Sequence, residues 1–245
     1  VIPVRDDADQ LAGALAALAE QTVAPVEVVV VDNASTDRSA EVATAHGARV
    51  IQEPVLGIAP AAAAGYDAAV GEIIARLDAD SRPPAHWVEG IIAELARRPD
   101  AVAVTGGGTF YDLTPPLGAA VSRLYLGAYH LLGYAAVANP VLWGSNMAMR
   151  RDVWWQVRDR VHRHDPEIHD DMDLAFALGT TTVVRIPSLV VGASGRSVRG
   201  AAQMRRRFRR AFRTLRLGWA GSPPWSRWAA RLRSGVDGGT AREQV

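Results

Sequence analysis

The fold of this chain turns on residues 73–81, Ile73-Ile74-Ala75-Arg76-Leu77-Asp78-Ala79-Asp80-Ser81. An apolar run delivers two carboxylates, one residue apart, where the run stops. Side chains alternate along a strand, so Asp78 and Asp80 are expected to address one site together. Neighbouring carboxylates repel unless a cation or a donor-rich ligand lies between them. Hard oxygen ligands from one or two protein groups suit Mg²⁺ or Mn²⁺, with a substrate diphosphate completing the shell. A solvated strand end looks the same over so short a stretch, so the flanking sequence decides.

Toward the N-terminus, strand and helix patterns alternate. Val1-Ile2-Pro3-Val4 reads as a buried strand, followed by Asp6, Asp7 and Asp9 and a helix whose Leu11, Leu15 and Leu18 repeat at helical spacing. Val26–Val31 is a β-branched run ending in Asp32-Asn33-Ala34-Ser35-Thr36-Asp37, then a helix from Ser39 to His46 that Gly47 stops. Arg49-Val50-Ile51 is a short third strand, residues 57–70 are an alanine-rich helix, and the strand through Asp80 is the fourth. A helix over 87–95 and a strand over 101–105 complete this half. Alternating strands and helices predict right-handed crossovers and a parallel sheet.

In such sheets ligands bind beyond the carboxyl ends of the strands. Asp6, Asp32, Asp78 and Asp80 all sit at such ends, and their convergence points to a polar ligand that is cationic or metal-bound. Val4-Arg5-Asp6-Asp7 stands where a dinucleotide-binding protein carries its glycines, which argues against NAD. The absence of Gly-Lys-Ser/Thr argues against a phosphate-binding P-loop.

Toward the C-terminus the alternation fails after Gly106-Gly107-Gly108. Residues 110–141 carry Tyr111, Tyr125, Tyr129 and Tyr134 among many leucines and read as apolar helical or loop structure beside the crevice, with core packing favoured over an acceptor groove. Trp143-Gly144-Ser145-Asn146 is a loop, and Asp152 is placed to cap a helix through Val157. His162–Leu174 is the densest cluster of titratable groups. Zinc is disfavoured there, since His164 and His169 are five apart and no helical i, i+4 histidine pair exists. In the preferred reading Asp170 or Asp171 caps a helix through Leu178 while the other enters the crevice as a general base, like charges nearby raising its pKa. A plain aspartate-rich helix N-terminus is the competing reading.

The composition, 49% hydrophobic and 22% charged, is that of a globular protein of one or two domains. The longest apolar stretch, from Leu117 to Trp143, is broken by Arg123, His130 and Asn139, so no spanning helix is expected. Zero cysteines exclude disulfides and thiolate chemistry and fit a cytoplasmic enzyme. The net charge of +1 hides an uneven distribution: residues 196–233 contain many arginines and no Asp or Glu. Between Gln203 and Trp219, the residues Met204, Phe208, Ala211, Phe212, Leu215 and Trp219 form one apolar stripe, flanked by Arg205, Arg206, Arg209, Arg210, Arg213 and Arg216. This basic amphipathic helix either packs its stripe on the domain or binds an anionic membrane surface; nucleic acid is the least favoured partner. Beyond Gly235 a flexible tail is expected.

Val28–Asp37, the Leu77-Asp78-Ala79-Asp80 step, Gly144-Ser145-Asn146 with Arg150-Arg151, and Asp170-Asp171-Met172-Asp173-Leu174 resemble, in order and spacing, the family 2 glycosyltransferases of GT-A fold. The resemblance covers the chain up to about Val191. It implies an α/β GT-A domain with a mostly parallel central sheet over 1–195, a nucleotide-binding half (1–105) and an acceptor half (106–195), and a basic helical extension over 196–245. It further implies transfer of a sugar from a UDP-, GDP- or dTDP-linked donor to the hydroxyl of a carbohydrate or lipid-linked acceptor, usually with inversion. Asp32 matches the base-contacting position, Asp78 the position near base and ribose, and Asp80 the ligand of Mg²⁺ or Mn²⁺. Asp171 matches the general base, with Asp170 where the family more often has Glu. Pro3, Asp6 and Asn146 complete the expected donor-binding set. Ala62 and Ala63 replace the family's usual Arg-Asn pair, Ala177 stands where an arginine is common, and Arg207 replaces the tryptophan of the processive signature. The rival readings are transfer to a polyprenyl phosphate, nucleotidylyl transfer, and a non-catalytic membrane-surface adaptor. The expected location is the cytoplasm, peripheral on the inner face of the plasma membrane if the basic helix binds there.

Overall fold

The computed structural model describes residues 1–114, 116–198 and 200–240. Strand β1 (Ile2–Val4) leads into helix α1 (Ala8–Ala19), β2 (Val29–Asp32) into α2 (Ser39–Ala45), β3 (Arg49–Gln52) into α3 (Ile58–Ala68), and β4 (Ile73–Arg76) into α4 (Trp87–Arg97). Then follow β5 (Ala101–Phe110), α5 (Leu117–Val137), β6 (Met147–Arg150), α6 (Arg151–Val157), α7 (Asp170–Leu178) and β7 (Thr182–Ala193). A 3-10 turn at Gly195–Val198, α8 (Ala201–Gly221) and α9 (Pro224–Thr240) complete the described chain.

The strands form two ladders, β1-β2-β3 and β4-β6-β5-β7. Pairing is parallel within the first ladder and between β5 and β7, while β6 runs antiparallel to both its neighbours. The ladders abut where the Val1 amine donates to the Ala75 carbonyl (2.8 Å) and the Leu77 N–H to the Val1 carbonyl (3.2 Å). The next donor on β1 would be residue 3, and proline has no N–H, so the pairing stops there. One apolar core crosses the junction, joining Ile2, Val4 and Leu11 to Leu77, Trp87, Val104 and Ala148. A second, built on Trp154 with Met147, Met149 and Leu174, supports the other side of the sheet.

Two element boundaries differ from the sequence reading. Strand β4 ends at Arg76, so Asp78 and Asp80 lie in the loop beyond it rather than on the strand. Strand β5 continues through the three glycines to Phe110. A Cβ on Gly106 would collide with the Asn146 amide and the Leu189 carbonyl, and one on Gly108 with the Trp143 ring. At Gly106 and Gly108 the strand is therefore packed too closely by its neighbours for any side chain.

The basic helix also docks differently from expectation. Its contact with the body runs through Arg207, Arg210, Ala211, Thr214 and Gly218, with Thr214 fully buried, and takes in Leu215 and Trp219 of the apolar stripe, while Phe208 and Phe212 of that stripe are exposed. Thr214 accepts the His169 N–H at 2.9 Å, which fastens α8 to the start of α7. Helix α9 runs on past Gly235 to Thr240, where a flexible tail was expected; residues 241–245 lie outside the described residues.

Candidate active site

Loops after β1, β2 and β4 bring Asp6, Asp7, Asp32, Asp78 and Asp80 to one end of the sheet, as strand order dictates. Asp32 is buried and accepts the Ser35 N–H at 3.0 Å, so the loop after β2 closes on its carboxylate. Beside it, Asn33 donates to the carbonyls of Glu53 and Val55 and accepts the Gly57 N–H at 2.7 Å, pinning the β3–α3 loop. Asp6 adopts a left-handed backbone (φ 51°) and accepts the Thr36 N–H and hydroxyl, which hold its carboxyl below the usual range. Pro3 is buried within β1, opposite Val31, short of the loops that line the crevice.

The centre of the site is a residue that the sequence reading passed over. Arg76, the last residue of β4, is 1% exposed and ion-paired to two carboxylates: Nη1 meets Asp170 Oδ2, and Nη2 meets Asp78 Oδ1 at 3.0 Å. A buried guanidinium requires such pairing. Its Nε has no partner among the described residues. Gly144 packs on the guanidinium so closely that a Cβ there would lie 2.6 Å from Nη1. The signal was available: an arginine inside an apolar run, just ahead of an Asp-x-Asp step, has to meet carboxylates if the run is buried.

The loop between α5 and β6 joins the two sides of the site. Ser145 Oγ donates to Asp78 Oδ2 at 2.5 Å, and the Gly144 N–H donates to Asp171 Oδ2 at 2.9 Å. Adjacent residues thus hold Asp78 on one side of the crevice and Asp171 on the other. The remaining Asp171 oxygen accepts the Met172 N–H at 2.8 Å. Neither Asp170 nor Asp171 caps α7; His169 occupies the N-cap without a side-chain bond, and both aspartates lie in the first turn, where the helix dipole favours negative charge. Likewise α6 begins at Arg151, so Asp152 sits in its first turn instead of capping it. Burial, with Asp171 and Asp78 nearby, pushes the Asp170 carboxyl up to about 6 against the opposing pull of Arg76.

The Asn146 side chain, expected in the donor-binding set, is hydrogen-bonded within the core. It is 1% exposed, its amide nitrogen donates to the carbonyls of Gly107 and Leu189 (both 2.8 Å), and its oxygen accepts the Trp87 indole N–H at 2.8 Å. Every polar atom of that side chain is engaged in the core. Ala62 and Ala63 are also buried, in the core around Trp154.

Asp80 faces Asp7 across Arg196, which pairs with both; Arg196 Nε lies 3.2 Å from Asp80 Oδ2. The arginine at the start of the C-terminal extension therefore reaches into the crevice. Burial first, then Asp78 and Asp7, push Asp80 up to about 6, with Arg196 opposing. Such a carboxylate is short of positive charge, the condition a hard divalent cation relieves. Among the described residues no group of three or more His, Asp or Glu forms a metal cage. One or two carboxylates here fit a cation that takes its other ligands from phosphate oxygens and water. The wall behind Asp171 is aromatic and basic: Tyr129 donates to the Leu142 carbonyl at 2.7 Å, and Arg207 donates to the Tyr125 hydroxyl at 2.5 Å.

An α/β sheet with carboxylates at its strand ends, linked through a Gly-Ser loop to a helix-borne aspartate, has the layout of the GT-A glycosyltransferases. The sequence profile of glycosyl transferase family 2 matches residues 1–158, and the chain belongs to that family. Uncharacterized glycosyltransferases of Mycobacterium tuberculosis and Mycobacterium bovis are 39% identical over 102 residues, 42% of this chain and 45% of theirs. The matched stretch thus spans less than half the length of these relatives. Among solved structures, the mannosyltransferase PcManGT of Pyrobaculum calidifontis, in complex with GDP-Man and Mn²⁺, superposes with a TM-score of 0.67 at 21% identity, covering 94% of this chain and 67% of that one. Glucosyl-3-phosphoglycerate synthase of M. tuberculosis, in complex with Mn²⁺, UDP and phosphoglyceric acid, gives 0.63 at 17% identity, covering 87% and 75%. At these identities the likeness establishes the fold.

Proposed function

We propose that this chain transfers a sugar from a nucleoside diphosphate donor to an acceptor hydroxyl, with inversion at the anomeric carbon. The observation that carries the reading is the Gly144-Ser145 pair, which holds Asp171 and Asp78 through adjacent residues. Asp32 and Asp78 receive the nucleoside. Asp80 holds Mg²⁺ or Mn²⁺, which when bound neutralises negative charge on the diphosphate. Asp171 accepts the proton of the acceptor hydroxyl as its oxygen bonds to the anomeric carbon, while the bond from that carbon to the diphosphate breaks and the nucleoside diphosphate leaves. The Gly144 and Met172 N–H groups orient the carboxylate of Asp171. Tyr125, Tyr129 and Arg207 form the wall beside it and bound the acceptor.

The donors named for the similar structures, GDP-mannose and UDP-glucose, make guanosine and uridine diphosphosugars the first to test. Ala62 and Ala63 remove a polar donor contact that the family often has, so selection falls to the loops at Asp6, Asp32 and residues 53–57. The test is nucleotide release from a panel of donors, with Asp80→Asn and Asp171→Asn variants whose circular dichroism shows the parent's fold. Both should lose transfer by at least about a hundredfold, the usual scale of a lost general base. Full activity in either variant overturns the role assigned to that residue.

A further inference from the structure

Helix α5 turns an apolar side away from the body. Leu117, Leu124 and Leu131 recur every seven residues at 56, 77 and 69% exposure, with Leu132 beside them at 68%. Helix α8 runs alongside it in parallel: Arg207 bonds Tyr125 at one end, and the Trp219 indole donates to the Ala136 carbonyl (3.0 Å) at the other. Phe208 and Phe212 lie on the flank of α8 that carries Leu215 and Trp219, and these last two pack against the cluster with Tyr129 of α5. Both phenylalanines are exposed, at 58 and 70%. Next around the helix come Arg205, Arg209 and Arg216. Arg209 pairs with Glu167, whereas Arg205 and Arg216 make no ion pair among the described residues. Helix α9 continues the surface with exposed Trp225 and Leu232 and is anchored to α5 by the Trp228 indole on the Ala135 carbonyl (2.9 Å).

Charge chooses between occupants. No acidic residue occurs in the chain between Asp112 and Asp152, or between Asp173 and Asp237, so arginine dominates the border of the exposed leucines and aromatics, with Asp165 and Glu167 the carboxylates that pair with α8, through Arg206, Arg209, Arg210 and Arg213. A second copy docked about a twofold axis would bring arginine against arginine. A bilayer carrying anionic headgroups satisfies both components, taking Leu and Phe into the acyl boundary and arginine at the phosphate level. Among the described residues no helix is long and apolar enough to cross a membrane, so the contact is with its surface.

We propose that the outer surface of α5 and α8, continued by the start of α9, seats this protein on an anionic membrane. The proposal stands independently of the transferase reading. It would place the wall formed by Tyr125, Tyr129 and Arg207 next to the headgroups and make a lipid-linked acceptor accessible to Asp171.

The test is sedimentation of the whole chain with phosphatidylcholine vesicles that contain or lack phosphatidylglycerol. We expect binding only to the anionic vesicles, weakening as salt screens the arginines. Arg205→Gln with Arg216→Gln should weaken partitioning about 30-fold. Phe208→Ser with Phe212→Ser should weaken it at least about tenfold, from the apolar area withdrawn. Both variants should keep the parent's melting temperature and nucleotide binding. No binding, equal binding to neutral vesicles, or binding indifferent to both variants overturns the proposal. So does a dimer that the phenylalanine variant dissociates in the absence of vesicle binding, which would assign the surface to a second copy.

Discussion

Replacing Arg76 by methionine should destabilise the protein more than any other exchange in the crevice. The guanidinium is 1% exposed, and the Asp170 side chain that it pairs with is 13% exposed, so this pair is shielded from water. Removing one partner of a buried pair costs about 3–5 kcal/mol, chiefly through the charge left behind. The second partner, Asp78, is 32% exposed and keeps its bond from Ser145, so its contribution is under about 1 kcal/mol. The loss expected at pH 8 is thus about 3–5 kcal/mol, from Asp170. The sign of the pH dependence follows from the same carboxyl. Burial already holds it at about 6, above its unfolded value, and loss of Arg76 removes the main opposing influence. The folded variant therefore takes up a proton as pH falls, and the penalty shrinks from pH 8 toward pH 5. Arg76→Met with Asp170→Asn should recover more than about 1.5 kcal/mol relative to the single variant, because no buried charge is then left alone. Urea unfolding followed by circular dichroism at both pH values reads all of these. A loss below about 1 kcal/mol at pH 8, or a double variant no more stable than the single, would refute the reasoning.

Two further outcomes follow from the site's geometry. Asn146→Ala leaves two carbonyls and an indole N–H buried without partners and should cost about 3 kcal/mol or more in urea unfolding; a loss confined to nucleotide binding would return Asn146 to the donor set. Asp80→Asn, without divalent metal, should stabilise the fold at pH 8 by up to about 3 kcal/mol. Asp80 titrates at about 6, above its unfolded value, so the charged form opposes folding and the gain vanishes as pH falls through 6 toward 4. Melting curves across that range check the sign.

The strands leading to Asp32 and to the Asp78–Asp80 step were legible in the sequence as continuous apolar runs bounded by carboxylates, although the second ends at Arg76, short of both aspartates. The aspartates at the strand ends were likewise visible as a set. What escaped depended on contacts between residues far apart in the chain. Arg76 looked like an interruption of a strand, and only its approach to Asp170, 94 residues away, makes it the hub of the crevice. Asn146 stood in the right motif, but its amide is claimed by Gly107, Leu189 and Trp87, which no local pattern announces. The glycines at 106–108 read as a break, since glycine disfavours strands, until the Asn146 amide and the Trp143 ring are seen to fill the space that side chains at 106 and 108 would take. In α8 the apolar stripe docks in part, through Leu215 and Trp219, while the closest approach is at Thr214 and Gly218, where small side chains permit it and which the stripe pattern did not single out.

The most direct test of the central claim is calorimetric titration of UDP, GDP, dTDP and CDP into the protein, each with and without Mn²⁺, repeated on Asp80→Asn. The account predicts that one nucleoside diphosphate binds tightly only with metal, and that Asp80→Asn abolishes this metal dependence while the variant remains folded. Failure of all four to bind under either condition, or tight metal-dependent binding that survives Asp80→Asn, would contradict it.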